Sequence, residues 1–384
     1  METAFVYAHS VSGKNFIGRK NDISSIGNML WTGENVALYG APKCGITSLL
    51  QQVFLQLKTT GRDITVAEVS MASVRNLNDF LRATGDAVIR AVSATPGEYE
   101  DIIANYLTGS RFAFDSEQFD AFGHILTPEG DTDMEDALAV FRLPYMLAQD
   151  RSMRICIVFN DFQNVTFVDD FDRLLKTFEG VAKEMKGSES CNFVFAGSML
   201  NAMKYLFEDK KYFWRLCECY SPSPITEKDI IEHITRSLLT SGKVVDNELM
   251  RGVCRLFRCD IYYINHFMAI CDHLSKGYIM EPVLIEALEC IMAIHRPRFS
   301  AEMYGLTTFQ VSLLKAILDG HTKFSASEVI DGYGLNSSAN VKRLKDALVK
   351  KEIISFDDKD EPYVIDPLFE YWVRKEFFGQ SVGI

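Results

Sequence analysis

The sequence has 384 residues, enough for two or three domains that each bury a hydrophobic core. Hydrophobic residues make up 47% of it and charged residues 24%, as in ordinary globular proteins, while the net charge of −12 argues against broad attraction to nucleic acid or anionic membranes. No apolar run approaches the roughly 18 residues that a membrane span requires, and the N-terminus lacks an apolar signal segment.

Cysteine and histidine usage gives no sign of a metal centre. The nine cysteines are scattered without the paired spacing of a zinc site, which is typical of reduced thiols. The histidines show no ligand spacing and no neighbouring nucleophile, so we interpret them as structural. With the missing signal segment, these observations predict a cytoplasmic protein that does not contact a membrane.

The first part of the chain contains a glycine-bearing loop between a predicted strand and a predicted helix. An amphipathic helix is expected after Arg19, then a short strand at Val36–Leu38, and a run with helical spacing ends near Thr59. A strand, a tight glycine loop and a helix are the setting of a phosphate-binding loop. Its residues are Gly40, Ala41, Pro42, Lys43, Cys44, Gly45, Ile46, Thr47 and Ser48.

The spacing within this loop indicates which residues would contact a nucleotide. Gly40 and Gly45 have the Walker A separation, and Thr47 stands where a hydroxyl would bind Mg²⁺. Ile46 occupies the position of the lysine that would reach the outer phosphates. The backbone N–H groups do not depend on that side chain, so we still expect an anion site at the start of the helix. ATP or ADP is the predicted ligand.

Four further segments have the character of strands and alternate with helical segments. They are residues 63–70, 154–163, 192–198 and a fifth strand at 214–220. Such alternation predicts right-handed crossovers and a parallel sheet, with ligands outside the carboxyl ends of the strands. We expect residues 36–39 and 155–159 to be adjacent at the centre of that sheet. The weakly patterned acidic stretch 95–136 predicts an irregular insertion.

The pattern changes at Ser221–Pro224, after which the chain is helical. Helices are predicted at 226–240, 246–258, 260–275 and 281–294, and His295–Arg298 marks the next boundary. Three further helices and a hairpin predict a winged helix-turn-helix. The expected domains are an α/β domain at 1–222, a helical lid at 223–298 and a winged-helix domain at 299–384.

The predicted winged helix carries charges of both signs. The third helix contains five basic residues that suit a DNA backbone: Lys342, Arg343, Lys345, Lys350 and Lys351. The tip of the wing is acidic, where DNA phosphates would approach, because it contains Asp357, Asp358, Asp360 and Glu361. We therefore favour docking of a protein, or an intramolecular role, over DNA binding.

In this order and at these separations, the segments resemble the archaeal-type ATPase family, a branch of P-loop proteins related to the AAA+ and STAND classes. Phe16–Arg19 resembles the motif before its first helix, near which the nucleotide base lies, and Gly40–Ser48 resembles its Walker A loop. Phe159–Gln163 resembles its Walker B strand, and Gly197-Ser198 the end of its sensor strand. Asp366–Phe369 resembles the family's closing motif after the wing. The resemblance implies a P-loop NTPase sheet with a helical lid, followed by a winged helix.

The departures from that family pattern fall on the positions that carry chemistry. Besides Ile46, Asn160 stands where an aspartate would hold magnesium through water, and Asp161 where a glutamate would orient the attacking water. Arg215 lies where relatives tend to place an arginine that faces the γ-phosphate. In the lid, Arg258–Tyr263 replaces a glycine-proline turn. The three changes at the nucleotide site, Ile46, Asn160 and Asp161, all weaken the same function.

The sequence leaves three hypotheses open. The favoured one is a nucleotide-responsive regulator or pseudo-ATPase, in which Arg19, Asn160 and Ser198 join the loop in binding nucleotide. The second is an active magnesium-dependent ATPase in which Lys43 replaces the missing lysine and Asp161 is the catalytic carboxylate. The third is an interaction scaffold that no longer binds nucleotide. Labelled ATP, with and without magnesium, distinguishes them.

Overall fold

The computed structural model describes residues 5–381. Residues 1–4 and 382–384, with which the predicted first and last domains begin and end, lie outside this range. The chain forms two compact units. The α/β unit holds residues 20–40 and 46–222, and the helical unit holds residues 5–19, 41–45 and 223–381. No helix in the described range is long and apolar enough to cross a membrane.

The α/β unit consists of helices and strands in close alternation, together with a 3₁₀ helix at Phe162–Phe167 and a π-helical turn at Tyr205–Asp209. Its elements are α1 (Lys20–Trp31), β1 (Asn35–Tyr39), α2 (Ile46–Thr59), β2 (Thr65–Ser70), α3 (Leu77–Val92), α4 (Pro96–Tyr106), β3 (Phe112–Ala113), α5 (Ser116–Phe122), β4 (Thr127–Pro128), α6 (Met134–Asp150), β5 (Ile155–Asn160), α7 (Phe171–Glu184), β6 (Cys191–Gly197), α8 (Leu200–Lys204) and β7 (Cys217–Tyr220).

Five of these strands form a sheet in the order β2-β5-β6-β1-β7, and all its pairings are parallel, as expected. The prediction that residues 36–39 and 155–159 are adjacent is wrong, because β6 lies between β1 and β5. All seven residues of β6 are buried, so this strand is suited to the central position, where neighbours cover both edges and helices cover both faces.

Aromatic side chains fill the core beside β5 and β6. Phe159 stacks on Phe195 with ring centres 5.8 Å apart, and Phe178 of α7 meets Phe193 edge-on at 4.8 Å. All four rings are at most 1% exposed. Because aromatic pairs in such geometry add about 0.5–1.5 kcal/mol beyond their buried area, this cluster fixes the carboxyl ends of the two strands relative to each other.

The stretch 95–136 is more ordered than expected, since it contains α4, α5 and the β3–β4 pair. Side-chain caps rather than apolar periodicity start its helices. Glu98 accepts from the backbone N–H of Thr95, and Asp115 accepts from two N–H groups at the start of α5. Buried Asp136 accepts from the backbone N–H and the guanidinium of Arg111. Such polar contacts leave little trace in a hydrophobicity pattern.

The helical unit contains the predicted lid helices and the winged helix, with a 3₁₀ turn at Gly13–Asn15 and a π-helical turn at Val373–Phe377. Its elements are α9 (Glu227–Thr240), β8 (Val244–Val245), α10 (Asn247–Leu256), α11 (Ile261–Leu274), β9 (Tyr278–Ile279), α12 (Glu281–Tyr304), α13 (Thr308–Leu318), α14 (Ser327–Tyr333), α15 (Ser338–Lys350), β10 (Ile354–Phe356), β11 (Pro362–Val364) and α16 (Pro367–Trp372).

The expected break at His295–Arg298 does not occur, because α12 continues through it to Tyr304. Pro297 lies within the helix, where its ring would normally break the hydrogen-bond ladder. Packing beyond the proline stabilises the continuation. Phe299 is fully buried, and its ring centre lies 5.5 Å from that of Phe369 and 5.8 Å from that of Trp372, both in α16.

Candidate nucleotide site

The predicted phosphate loop connects β1 to α2 through a tight turn. Cys44 donates its backbone N–H to the carbonyl of Ala41 at 3.1 Å. Lys43 and Gly45 both have positive φ, at 66° and 90°. The positive φ at Gly45 favours glycine, and a β-carbon there would lie 3.4 Å from an Arg19 nitrogen. Pro42 is exposed at the outside of the turn.

The side chain of Arg19 contacts the main chain of the loop. Its Nη1 donates to the carbonyl of Cys44 at 2.8 Å, and its Nε donates to the carbonyl of Ser223 at 2.9 Å. The residue itself adopts a left-handed conformation, with φ of 54°. The arginine predicted to lie near the nucleotide base therefore holds one phosphate-loop carbonyl and the first residue of the C-terminal helical segment.

The side chain of Lys43 contacts the lid helix α11. Its ammonium lies 5.5 Å from the centre of the Tyr262 ring, a cation–π distance. Tyr262 is positioned by Asp260, which caps α11 and accepts from the backbone N–H groups of Tyr262 and Tyr263 at 2.9 and 3.1 Å. In this structure Lys43, the proposed substitute for the missing lysine, therefore pairs with an aromatic ring of the lid.

Ile46, at the position of the Walker A lysine, is the first residue of α2 and is only 8% exposed. It belongs to the apolar stripe with which this helix covers the α/β core, together with Leu49, Leu50, Val53 and Leu57. The spacing of these residues fits one helical face. The stripe is visible in the sequence, so the burial of Ile46 could have been inferred from helical periodicity.

Two polar residues follow Ile46 in the first turn of α2. Thr47 is exposed and Ser48 is half-buried. At the other end of the loop, Gly40 donates its N–H to the carbonyl of Gly197, at 3.4 Å. The loop therefore starts at the carboxyl end of β6, and the hydroxyl of Thr47 is accessible to solvent.

The Walker B positions lie two strands away from the loop strand. Asn160 pairs in register with Ala196 of β6, which pairs on its other side with Leu38 of β1. With strands about 4.8 Å apart, the Cα atoms of Asn160 and Leu38 are separated by roughly 10 Å. Asn160 is half-buried and lies at the edge of the sheet where β1 leads into the loop.

Asp161 is held by neighbouring side chains. It has a left-handed backbone, with φ of 57°, and its Oδ1 accepts from Ser198 Oγ and from Gln163 Nε2, each at 3.2 Å. Gln163 is buried, and a β-carbon at Gly197 would come within 2.8 Å of its Oε1. The structure thus brings together the predicted Asp161 and Ser198, and it adds Gln163 as a positioning residue that we had not assigned a role.

These residues do not form a good magnesium site. Mg²⁺ is usually held by carboxylates together with substrate phosphates. The side chains at the expected positions are the hydroxyl of Thr47 and the amide of Asn160, and one oxygen of Asp161 already accepts two hydrogen bonds. Among the described residues, no group of three or more His, Cys, Asp or Glu side chains could hold a metal ion.

Arg215 lies outside the fifth strand, contrary to expectation. Strand β7 begins at Cys217, and Arg215 is exposed in the preceding turn with φ of 61°. Tyr212 and Phe213 are buried just before it, in the same turn. The contact between Lys43 and Tyr262 was also missed, because no local pattern links residues so far apart in sequence.

The fold is that of a P-loop ATPase with a C-terminal winged helix. It is defined by the glycine loop between β1 and α2, by the parallel sheet in which β6 lies between the two site strands, by the helical bundle and by the terminal winged helix. A family model described as "Probable winged helix domain" matches residues 297–375. A comparison with curated proteins gave no match.

Solved structures share this fold at low sequence identity. The Walker-type ATPase of Pyrococcus abyssi aligns with a TM-score of 0.66 at 15% identity, over 97% of this chain and all of that one. The Orc2 protein of Aeropyrum pernix in its ADP form aligns with a TM-score of 0.51 at 9% identity, over 93% of each chain. The Aeropyrum pernix Orc1 protein in complex with DNA aligns at 0.49 and 13% identity, over 98% of this chain and 97% of that one. The fold expected from the resemblance to archaeal-type ATPases is confirmed.

Proposed function

We propose that the chain is an AAA+/STAND-like ATP-binding protein that responds to ATP or ADP and hydrolyses ATP slowly or not at all. The observation that carries this proposal is the burial of Ile46 in a loop that keeps its glycine geometry. The backbone donors and the start of α2 remain suited to phosphate oxygens. The side chain that would bind the outer phosphates instead packs in the core.

Binding is expected to be weaker than in an intact P-loop. A charge-assisted hydrogen bond contributes about 1.5–3 kcal/mol, so the loss of the lysine alone lowers phosphate affinity very roughly ten- to a hundredfold. The affinities for ADP and ATP should then differ little, because the missing lysine would chiefly contact the outer phosphates. The ADP form of the structurally similar Aeropyrum pernix protein supports a nucleoside diphosphate as a ligand of this fold.

We expect slow hydrolysis because of the residues at the carboxyl edge of the sheet, Asn160 and Asp161. Phosphoryl transfer depends on neutralising charge over the transferred group and on positioning the attacking water. Asn160 brings no negative charge for a metal, and Asp161 is shorter than glutamate by one methylene. The hydrogen bonds from Ser198 and Gln163 orient Asp161, but they also occupy one of its oxygens. This arrangement supports a regulator more than an enzyme.

For the winged helix we propose a protein partner in the cytoplasm. Two of the five basic residues around α15 are engaged within the domain, since Lys345 lies over the Phe356 ring at 4.3 Å and Lys351 donates to the carbonyl of Gly305. Four acidic residues remain exposed at the wing tip. Nine free cysteines suit a reducing compartment.

The test is equilibrium binding of fluorescent ATP and ADP, with magnesium or with EDTA, alongside an assay of phosphate release. Thr47→Glu puts a negative charge at the first turn of α2, where the helix dipole favours it, so the fold should be kept. Repulsion of the phosphates should lower nucleotide affinity at least tenfold. Gln51→Glu, one turn further along the same exposed face, is the matched control and should change affinity far less.

Each outcome of these assays supports a different one of the three hypotheses. Binding of both nucleotides with little phosphate release, lost in Thr47→Glu, supports the regulator. Release at ordinary enzymatic rates refutes it and supports an active ATPase. No binding of either nucleotide by the folded parent chain supports a scaffold.

A further inference from the structure

The turn at the C-terminus of α10 has a cysteine at each of the two positions that flank it, Cys254 and Cys259. Cys259 donates its backbone N–H to the carbonyl of Cys254 at 2.8 Å, and Arg258 donates to the carbonyl of Arg255 at 3.2 Å. Arg258 is left-handed, with φ of 49°. This pair of hydrogen bonds around a left-handed residue is the Schellman motif, which brings together the two side chains that flank it. Usually both are apolar, and here both are thiols.

The two thiols differ in exposure, although the motif brings their side chains together. Cys254 is 1% exposed, while Cys259 is half-buried and reachable from solvent. A reagent in solvent can therefore reach Cys259, while Cys254 lies buried beside it. This is the arrangement in which an accessible thiol reacts first and a neighbouring thiol completes the reaction.

We propose that Cys254 and Cys259 form a redox-sensitive dithiol that closes to a disulfide in the folded protein when it meets a small-molecule disulfide such as oxidised glutathione. The Cys259 thiolate attacks one sulfur of the oxidant and releases one glutathione thiolate. Cys254 then loses its proton, attacks Cys259 Sγ and releases the second glutathione. Two protein thiols are oxidised, and one glutathione disulfide is reduced to two thiols.

The environment of the pair makes this reaction slow at neutral pH. Burial raises the pKa of Cys254 to about 12 and raises the pKa of Cys259 as well. The thiolate is the reacting form, so only a small fraction of either residue is reactive near pH 7. The pair should therefore form a disulfide under sustained oxidising conditions rather than during a brief exposure to oxidant. The rate of disulfide formation should rise about tenfold for each pH unit.

The turn that holds the pair contacts the wing, and the helix that follows it, α11, contacts the phosphate loop. Arg258 donates to the carbonyls of Val364 and Ile365 at 2.7 and 3.2 Å. Three residues after Cys259, Tyr262 lies under the ammonium of Lys43. A disulfide that stiffens this turn therefore acts on residues that position both the loop and the wing hairpin.

The experiment uses the full chain in buffers of reduced and oxidised glutathione, followed by alkylation of remaining thiols and tryptic digestion without reduction. Trypsin cleaves after Arg251, Arg255 and Arg258, so the disulfide joins the peptide 252–255 to the peptide 259–276. We expect this cross-linked product from the folded parent, at a rate about tenfold higher at pH 8 than at pH 7.

Cys254→Ala should abolish the product and leave Cys259 as a mixed disulfide with glutathione. Cys271→Ala removes the other cysteine of the longer peptide and should leave the cross-link unchanged. The proposal is overturned if the parent also stops at the mixed disulfide. It is equally overturned if the cross-link forms only in urea, where the chain is unfolded. Thermal unfolding of each variant verifies that it is folded.

Discussion

The ammonium of Lys43 lies 5.5 Å from the centre of the Tyr262 ring, although more than half the chain separates the two residues in sequence. This contact joins the phosphate loop to the first turn of a lid helix within the helical unit. In this arrangement the only lysine of the loop contacts an aromatic ring of α11.

Replacing Tyr262 with leucine should loosen the loop. A cation–π pair at a partly exposed site contributes about 0.5–1 kcal/mol, so local opening should become about two- to fivefold more frequent. Hydrogen exchange of peptides covering residues 41–45 measures this change. Tyr262→Phe keeps the ring and should exchange like the parent. Equal protection in all three proteins would mean that Lys43 does not contribute to holding the loop.

Replacing Ile46 with lysine should destabilise the α/β unit. The side chain is 8% exposed and lies on the apolar stripe of α2, so a charged group there loses hydration. We expect a decrease of about 2–4 kcal/mol in the free energy of unfolding, measured by denaturant titration. Ile46→Leu should cost less than about 1.5 kcal/mol. A lysine variant as stable as the parent would show that the side chain can leave the core without cost.

The double variant Ile46→Lys, Asn160→Asp tests whether the two substitutions explain the expected weak binding. Lysine returns a positive donor to the outer phosphates, and aspartate returns charge to the shell around magnesium. ATP affinity in magnesium should rise roughly ten- to a hundredfold over the parent, with a smaller gain in EDTA. A folded double variant without any gain would favour the scaffold reading.

The pair His266 and His295 should make the helical unit sensitive to acid. Their ring nitrogens lie 3.4 Å apart, and Tyr7 stacks on His266 at 4.1 Å. Burial, with Arg298 beside it, lowers the pKa of His295 to about 4, and burial lowers the pKa of His266. The other titratable groups facing the pair are Tyr262, Tyr263 and Asp366.

The sign of the pH effect follows from proton binding. An unfolded histidine has a pKa of about 6.5, so between about pH 6.5 and pH 4 the unfolded chain binds a proton that folded His295 does not. The free energy of unfolding should therefore fall as the pH drops through this range. His295→Gln should flatten that dependence in thermal unfolding series, whereas His9→Gln, at an exposed site, should not. Parallel curves for all three proteins would contradict the assignment.

Two glycines provide a matched test of packing in the α/β unit. A β-carbon at Gly197 would lie 2.4 Å from Met203 and 2.8 Å from Gln163 Oε1, so Gly197→Ala should destabilise the chain by about 1–3 kcal/mol. At Gly180, inside α7, nothing lies within 4 Å, and alanine there should stabilise by about 0.5–1 kcal/mol. Denaturant unfolding measures both. Equal effects would mean that the end of β6 is not closely packed.

Local features of the sequence determined the elements and the class of fold. The glycine spacing at Gly40 and Gly45 indicated the loop, and the buried run at 155–159 indicated a strand of a parallel sheet. The pattern of three helices and a hairpin predicted the winged helix, and in the structure Ser337 caps its third helix by accepting from Asn340 N–H. These predictions succeeded because hydrogen bonding and burial over a few neighbouring residues set secondary structure.

Only the tertiary structure decided the strand order, the continuity of α12 and the partners of the site residues. The position of β6 depends on how whole strands share the core, and α12 continues past Pro297 because Phe299 packs against α16. Asp161, which follows β5, accepts a hydrogen bond from Ser198, which follows β6. Lys43 of the loop contacts Tyr262 of α11 within the helical unit. Each of these contacts joins residues distant in sequence, and a contact of that kind is fixed by packing in three dimensions, which no local pattern records.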